Sequence, residues 1–489
     1  MTSTAGGPGA VADGGAGLPR AEILARLEAM RAHDLPAHGG RTLAYVYDSG
    51  LADADAVGLE ALTMFASSNG LDPTAFPSLL RMENDLVSMA GRLLDAPHGF
   101  AGSVTSGGTE SILLAVLAAR EGAQRPDRPN LVLPVTGHAA FLKAAKYLGL
   151  DARVVDVDHD TLRADPAATA AAIDDATVLV VASAPSYAHG VVDPVPELAA
   201  LAAERGIRCH VDACIGGWVL PHLDDAPPWT FDVPGVTSIS VDLHKYAYTP
   251  KGVSLLLHRD AELRRGHFFA SADWPGYTML NSTMQSTKSG GPLAAAWAVI
   301  HHLGDEGYAR LALEAREATL AVADAVRGID GLDVFTEPDS TLLALVADGS
   351  CDVFTIADEM LARGWFVQPQ MAYRDLPPTH HLTLSAATAP SVPQFVEALR
   401  DAASAARSAG PVPVDPALAD MLSTLEPARL DDAAFGRLLA AAGLSGAGGG
   451  IELPQRMAPV NALLDACPPP LREALLLGVL DRLSRPSTV

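Results

Sequence analysis

The sequence predicts an α/β protein: a mainly parallel large-domain sheet with helices on both faces, followed by a smaller α+β C-terminal domain. Three observations lead there. From about residue 78 to 320, short apolar runs alternate with helical stretches, the pattern of strands joined by crossover helices. Beyond about 330 the order changes to strand, helix, two strands, helix. The polar residues best suited to chemistry stand at the ends of the apolar runs, where open α/β sheets bind ligands.

Taken in order, residues 1–17 are rich in Gly and Ala and predict a flexible tail. They lack the basic start and apolar core of a signal peptide. From 18 to 77, R-A-E-I-L-A-R-L-E-A-M-R and A-V-G-L-E-A-L-T-M-F have helical spacing and predict an N-terminal helical arm. The large domain, 78–320, has strand candidates at 131–135, 178–182, 207–211, 236–241 and 253–258. The small domain, 321–410, carries T-L-L-A-L-V-A, I-A-D-E-M-L-A-R, F-V-Q-P, H-H-L-T-L-S and P-Q-F-V-E-A-L-R-D-A-A. P-V-P-V-D-P opens a linker and helical appendix over 411–489, interrupted by G-A-G-G-G at 446–450.

A chain of 489 residues with 49% hydrophobic content can bury a large core. Its 58 acidic and 34 basic residues give a formal charge of −24, which repels nucleic acid and anionic lipid. No run approaches the roughly 20 apolar residues of a membrane span. Cys209, Cys214, Cys351 and Cys467 have neither metal-ligand spacing nor the density of a secreted disulfide framework. The expectation is a cytoplasmic enzyme acting on a small molecule, without a metal site.

The chemistry-bearing residues follow separate strands. His138 follows L-V-L-P-V, Ser183 follows V-L-V-V-A, Asp212 follows I-R-C-H-V, and His244-Lys245 follow V-T-S-I-S-V-D-L. Upstream, T-S-G-G-T-E-S (105–111) opens a helix, so its amides can wrap a phosphate. Each part alone has an ordinary structural explanation. A Gly pair before a helix is usually a turn, an Asp after a strand is usually a cap, and one His among fifteen or one Lys is usually solvated. Together, a lysine able to form a Schiff base, a carboxylate for a pyridinium nitrogen, an imidazole and a phosphate cradle are the apparatus for pyridoxal phosphate. A dinucleotide site is the rival use of a Gly-rich turn, but no G-x-G-x-x-G follows an early strand with an acid about twenty residues on.

The stretches T-S-G-G-T-E-S-I-L-L-A, H-A-A-F-L-K-A-A, S-A-P-S-Y-A-H-G-V-V-D-P-V-P-E-L, H-V-D-A-C-I-G-G and H-K-Y-A-Y-T-P-K-G resemble the sphingosine-1-phosphate lyases. These belong to the group II decarboxylase branch of fold-type I pyridoxal-phosphate enzymes. The resemblance covers roughly residues 18–410 and implies a homodimer with shared active sites. It implies that Lys245 is the Schiff-base lysine, that Asp212 partners the ring nitrogen, and that His138 and Cys214 lie on the two ring faces. Gly108, Thr109 and His244 are implied to hold the cofactor phosphate, with Ser286 and Thr287 reaching it from the neighbouring subunit, and Ser183 to contact the ring hydroxyl.

For the reaction, the resemblance implies retro-aldol cleavage of a β-hydroxy amine to an aldehyde and an amine. Tyr47, Asn69 and Lys251 match positions that bind substrate and its phosphate. Asp72, in N-G-L-D-P, departs from the family's histidine and is expected to oppose a substrate phosphate in a pocket shared with Tyr47 and Lys251 unless Lys251 neutralises it, which leaves open a substrate with a hydroxyl or an amine at that end. An amino-acid decarboxylase is the alternative. A transaminase is disfavoured because T-H-H-L-T-L-S has no carboxylate-binding arginine, although Arg374 is nearby. A catalytically silent homologue is disfavoured by the clustered titratable groups.

Overall fold

The computed structural model describes residues 17–123, 127–277, 279–427, 430–441, 444, 451 and 454–485. The expected tail, except Gly17, and the Gly-rich interruption at 446–450 lie outside the described residues.

Seven strands form the large sheet: β1 (Ala101–Thr105), β2 (Asn130–Pro134), β3 (Asp151–Val155), β4 (Thr177–Ser183), β5 (Arg208–Asp212), β6 (Val236–Asp242) and β7 (Ser254–His258). Their order is β1-β7-β6-β5-β4-β2-β3, and β7 runs antiparallel to both neighbours while the other pairings are parallel. Both faces are covered. On β4, Val180 and Ala182 pack into one apolar cluster and Leu179 and Val181 into another on the opposite face. Every residue of β4 is buried, which is why the strand reads as an unbroken apolar run rather than an alternating one.

Two strands escaped the apolar-run criterion. β1, A-G-S-V-T, is mostly small and polar, yet a Cβ at Gly102 would stand 2.6 Å from Leu257 Cδ2 and 2.9 Å from Val87 Cγ1. Gly there lets the helix Pro77–Leu93 lie against the sheet. β3, D-A-R-V-V, is the opposite edge strand, and its exposed Asp151 suits a sheet margin.

A hairpin, β8 (Phe269–Ser271) and β9 (Met279–Asn281), precedes the 37-residue helix Gly290–Val326. This helix is broken at Gly304, whose φ of 62° no ordinary helical residue adopts, and runs past residue 320 toward the small domain. There β10 (Leu332–Val334), β11 (Leu342–Ala347), β12 (Gln368–Gln370) and β13 (Thr379–Thr383) form an antiparallel sheet in the order β10-β11-β13-β12. Helices Val353–Ala362 and Val392–Ala409 cover it.

The N-terminal arm is helical over Arg20–Met30 and Ala52–Met64, but the residues between are extended and enter the small domain. The N–H of Leu43 donates to Phe366 O (2.9 Å) and that of Thr383 to Leu43 O (2.7 Å). The fully buried Leu43 side chain joins the small-domain core, a burial that contributes roughly 2 kcal/mol. Helix Arg20–Met30 buries none of its residues in the single chain.

The appendix has helices Pro416–Thr424, Asp432–Ala441, Ala458–Ala466 and Pro469–Leu483. It docks through Asp358 of the small domain, whose Oδ1 and Oδ2 accept the N–H groups of Met457 and Ala458 at 2.9 Å each. That carboxylate satisfies amides at the start of Ala458–Ala466 and complements its dipole. Arg456 adds an ion pair to Glu359 at 2.8 Å. Among the described residues, no helix is long and apolar enough to cross a membrane.

Candidate active site

At the carboxyl ends of β4, β5 and β6 a cavity of 510 Å³ opens beneath the start of helix Gly108–Gly122. It gathers Gly108, Thr109, His138, Ser183, Asp212, Cys214, His244, Lys245 and Lys251 from six separate stretches of chain.

The cradle is built by close approach. A Cβ on Gly108 would lie 2.7 Å from Cys214 Sγ and 2.9 Å from Asp242 Oδ2, so the loop backbone itself fronts the cavity. The first-turn amides of the helix lack intrahelical acceptors, so this end of the helix suits an anion. Glu110 fixes the loop: its Oε2 accepts the N–H (2.6 Å) and Oγ–H (2.7 Å) of Ser106.

On β5, Asp212 Oδ1 accepts the N–H of Cys214 (3.1 Å) and the hydroxyl of Ser240 (3.3 Å). Oδ2 makes neither bond and is the oxygen left for a cationic donor. His210 lies on the same strand face, with Nδ1 2.8 Å from Ser238 Oγ and Nε2 3.2 Å from Ser240 Oγ. Burial lowers its pKa to about 4, so it is neutral at pH 7. Burial, reinforced by Asp212, pushes the Cys214 thiol well above its ordinary range. Cys214 is therefore an uncharged wall rather than a nucleophile.

Lys245 Nζ lies 3.0 Å from Asp242 Oδ2, and His244 Nε2 lies 3.6 Å from the same oxygen. Burial alone would lower the Lys245 pKa, but Asp242, with Tyr47 and Cys214 behind it, raises it above that of an ordinary lysine. Asp242 shifts oppositely: burial would raise it, and Lys245 with His244 bring it below the usual carboxylate value. The N–H of Val253 donates to His244 Nδ1 at 3.2 Å, which leaves the imidazole proton on Nε2. His138 is oriented likewise, its Nδ1 accepting the N–H of Ala140 at 3.1 Å.

Lys251 Nζ donates to Tyr45 O (3.2 Å) and His244 O (3.3 Å) and stands 5.0 Å from the centre of the Tyr47 ring. Burial lowers the Lys251 pKa and the nearby Lys245 adds to that. Burial pushes the Tyr47 phenol up to about 12, against the opposing pull of Lys245, so its hydroxyl remains a donor at neutral pH. Ser183 borders the cavity while its N–H donates to Asp193 Oδ2 at 2.8 Å.

Asn69, Asp72, Ser286, Thr287 and Arg374, all drawn from the sequence, lie elsewhere. Thr287 Oγ1 donates to Asn69 Oδ1 at 3.3 Å, and Ser286 and Thr287 line a different cavity, of 190 Å³, with Gly70 and Leu71. The expectation that Asp72 shares a pocket with Tyr47 and Lys251 is not met within one chain. Asp72 is exposed, and its Oδ1 accepts the N–H (2.8 Å) and hydroxyl (2.6 Å) of Thr74, closing a surface turn. These bonds hold its carboxyl below the usual range. Arg374 is likewise outside the cavity, paired with Asp156.

Two residues near the reacting groups went unread in the sequence, Ser240 and Asp242. Their signal was present: Ser238, Ser240 and Asp242 recur at period two within an otherwise apolar strand, which aims all three at one face.

Comparison with known proteins accords with this arrangement. A family model described as the pyridoxal-dependent decarboxylase conserved domain matches residues 43–346, and one described as “Pyridoxal-dependent enzyme, C-terminal putative HTH domain” matches 416–482. The chain thus belongs to the pyridoxal-dependent decarboxylase family, and its cofactor is pyridoxal phosphate.

Within that class it belongs to the sphingosine-1-phosphate lyases. It is 36% identical to the enzyme of Arabidopsis thaliana, over 81% of this chain and 74% of that protein. The sphingosine-1-phosphate lyase structure from Burkholderia pseudomallei is 34% identical with a TM-score of 0.77, covering 82% of this chain and 94% of the other. The chain is 38% identical to the lyase of Dictyostelium discoideum over 70% of its own length, but spans only 64% of that relative. A probable L-tyrosine/L-aspartate decarboxylase of Methanothrix thermoacetophila is 36% identical over 64% of this chain and 79% of that protein.

Proposed function

We propose that this protein is a pyridoxal-phosphate-dependent carbon–carbon lyase that cleaves the Cα–Cβ bond of a β-hydroxy amine bearing a phosphate on the amine side of that bond, giving an uncharged aldehyde and a smaller, phosphorylated amine. When bound, pyridoxal phosphate supplies an electron sink for the pair released as a bond to the substrate's α-carbon breaks.

The observation that carries this proposal is the placement of two extra groups, Tyr47 and Lys251, beside Lys245. Lys251 offers a cation to a substrate phosphate, and Tyr47 offers a neutral hydroxyl. The remaining roles in this proposal are those the family resemblance implies, and the grouping of these residues around one cavity supports them. Lys245 supplies the amine that anchors the cofactor. Asp212 Oδ2 holds a proton on the ring nitrogen, and Ser240 and the Cys214 amide fix that carboxylate's angle. His138 and Cys214 confine the ring from two sides, and Ser183 meets its hydroxyl. Gly108, Thr109 and His244 Nε2–H bind the cofactor phosphate.

A homodimer completes the site in this proposal, with Ser286 and Thr287 serving the neighbouring subunit's cofactor and Asn69 and Asp72 carried on the adjoining surface. Their position outside their own chain's cavity supports that assignment. The cytoplasm is the proposed setting.

Amino-acid decarboxylation is the second reaction to test, favoured by the similarity to the Methanothrix protein. Purified enzyme given phosphorylated sphingoid bases, β-hydroxy amino compounds and common amino acids, with aldehyde, amine and carbon dioxide assayed separately, decides between them. Aldehyde release is the expected outcome; carbon dioxide without aldehyde would overturn the lyase assignment.

A further inference from the structure

The appendix encloses a cavity of 230 Å³ that the lyase chemistry does not use. Leu422, Phe435, Leu439, Val460, Leu463 and Val479 are among its walls, and no described lining residue is charged. The one thiol there, Cys467, is turned to Leu463 O at 3.3 Å. Leu476 lines the cavity and is 52% exposed, so the cavity reaches the surface beside it.

We propose that the appendix binds the end of a linear, uncharged alkyl chain, of the kind carried by the aldehyde that the proposed lyase releases. This assignment of the occupant rests on the lyase proposal. Water has no cluster of polar partners in such a cavity, and an apolar void of about 150 Å³ already takes up benzene. A cavity of 230 Å³ accommodates several alkyl carbons.

Charge selects against the competing occupants. Residues 416–482 hold eight acidic and five basic residues and no lysine. Three of the arginines are held internally: Arg456 on Glu359, Arg472 on Leu464 O and Asp465 O, and Arg482 on Asp432. This net negative charge opposes a nucleic-acid backbone as it does a fatty anion or an anionic bilayer. The catalytic cavity, by contrast, sets the charged and polar groups of His138, Asp212, Asp242, His244 and Lys245 among its apolar walls.

The test uses the full-length chain with 1-decanol, decanoate and a short DNA duplex as probes, followed by calorimetry. Decanol should bind once per chain, decanoate about tenfold more weakly, and the duplex not measurably at physiological salt. Val460→Trp, which fills the cavity, should weaken decanol binding by about tenfold or more. Leu439→Asp should do the same by adding a charge, and unchanged far-UV dichroism and melting certify whichever variant is used. Decanol affinity unaltered in a folded cavity variant would overturn the proposal, as would preferential binding of the duplex.

Aldehyde release is assayed on the same preparations. Turnover without decanol binding removes the cavity's role and leaves the lyase standing; decanol binding without aldehyde release does the reverse.

Discussion

The catalytic body and the appendix solve opposite problems with their interiors. All fifteen histidines lie before residue 382, and several are buried among the large-domain and small-domain strands. The appendix helices carry none, and enclose apolar surface instead. In the body, Asp212, His244 and His138 are each oriented by a hydrogen bond from a neighbouring backbone N–H, so single residues stand out. In the appendix, the proposed binding rests on the shape left between apolar side chains, and no one residue announces it.

The sharpest way to test this contrast is at Lys245. Lys245→Ala should reduce turnover by about 10³-fold or more; far-UV dichroism should show the fold retained, with a lowered melting temperature because Asp242 loses its buried ion-pair partner. Borohydride reduction of the parent protein followed by peptide mass spectrometry should find the cofactor on Lys245; an adduct on another lysine would refute the assignment.

Asp212→Ala should lower turnover by about 10²-fold and weaken cofactor binding, read by fluorescence titration, because a buried charge partner is lost. Full activity would show that the ring nitrogen has another partner. The same substitution should leave decanol binding to the appendix untouched.

Acid should divide the two regions. Burial depresses His189, His210 and His380 to about 4 and His267 and His381 to about 3. A depressed folded-state pKa gives stability that is complete above the unfolded value near 6.5 and is lost as pH falls toward the folded one. At pH 5 each histidine forfeits on the order of 2 kcal/mol. Asp193 works the other way: burial raises it to about 6, so its contribution grows as pH falls from 6 toward 4. The histidines outnumber it, and the body should unfold on acidification ahead of the histidine-free appendix. Tryptophan fluorescence and hydrogen exchange across pH 7 to 4 would reveal a simultaneous collapse if the contrast is false.

At the junction, Asp358→Ala removes both acceptors of the Met457 and Ala458 amides and should cost about 1–3 kcal/mol of docking. Limited proteolysis should then cleave between residues 410 and 457 faster while turnover persists. The smallest effect is expected at Asp72. Because its oxygen is engaged by Thr74, Asp72→Asn and Asp72→His should change the preference for phosphorylated over unphosphorylated substrate by no more than about threefold. A larger change would bring Asp72 into a pocket that only a second subunit can complete.

How legible each part was follows from the range of the interaction that fixes it. β2, β4, β5, β6 and β7 were visible because buried strands read as apolar runs, and their ends marked His138, Asp212, His244 and Lys245. β1 and β3 were not, since a Gly packed under Val87 and an edge strand carrying Asp and Arg resemble loop. Asp242 stands just before the more conspicuous H-K pair, and its own signal, the alternation of Ser238, Ser240 and Asp242 along the strand, is weaker. The turn that occupies Asp72 and the Asp358 contact lie beyond motif matching, because they depend on local backbone shape and on residues 100 positions away.

Glu110 carries a consequence of its own. While one of its oxygens holds Ser106, the other accepts the N–H groups of Met284 (2.6 Å) and Gln285 (3.3 Å). The phosphate cradle and the 283–287 segment are therefore a single mechanical part with a carboxylate as its rivet. If Ser286 and Thr287 serve a neighbouring subunit as proposed, each active site shares a wall with its twin.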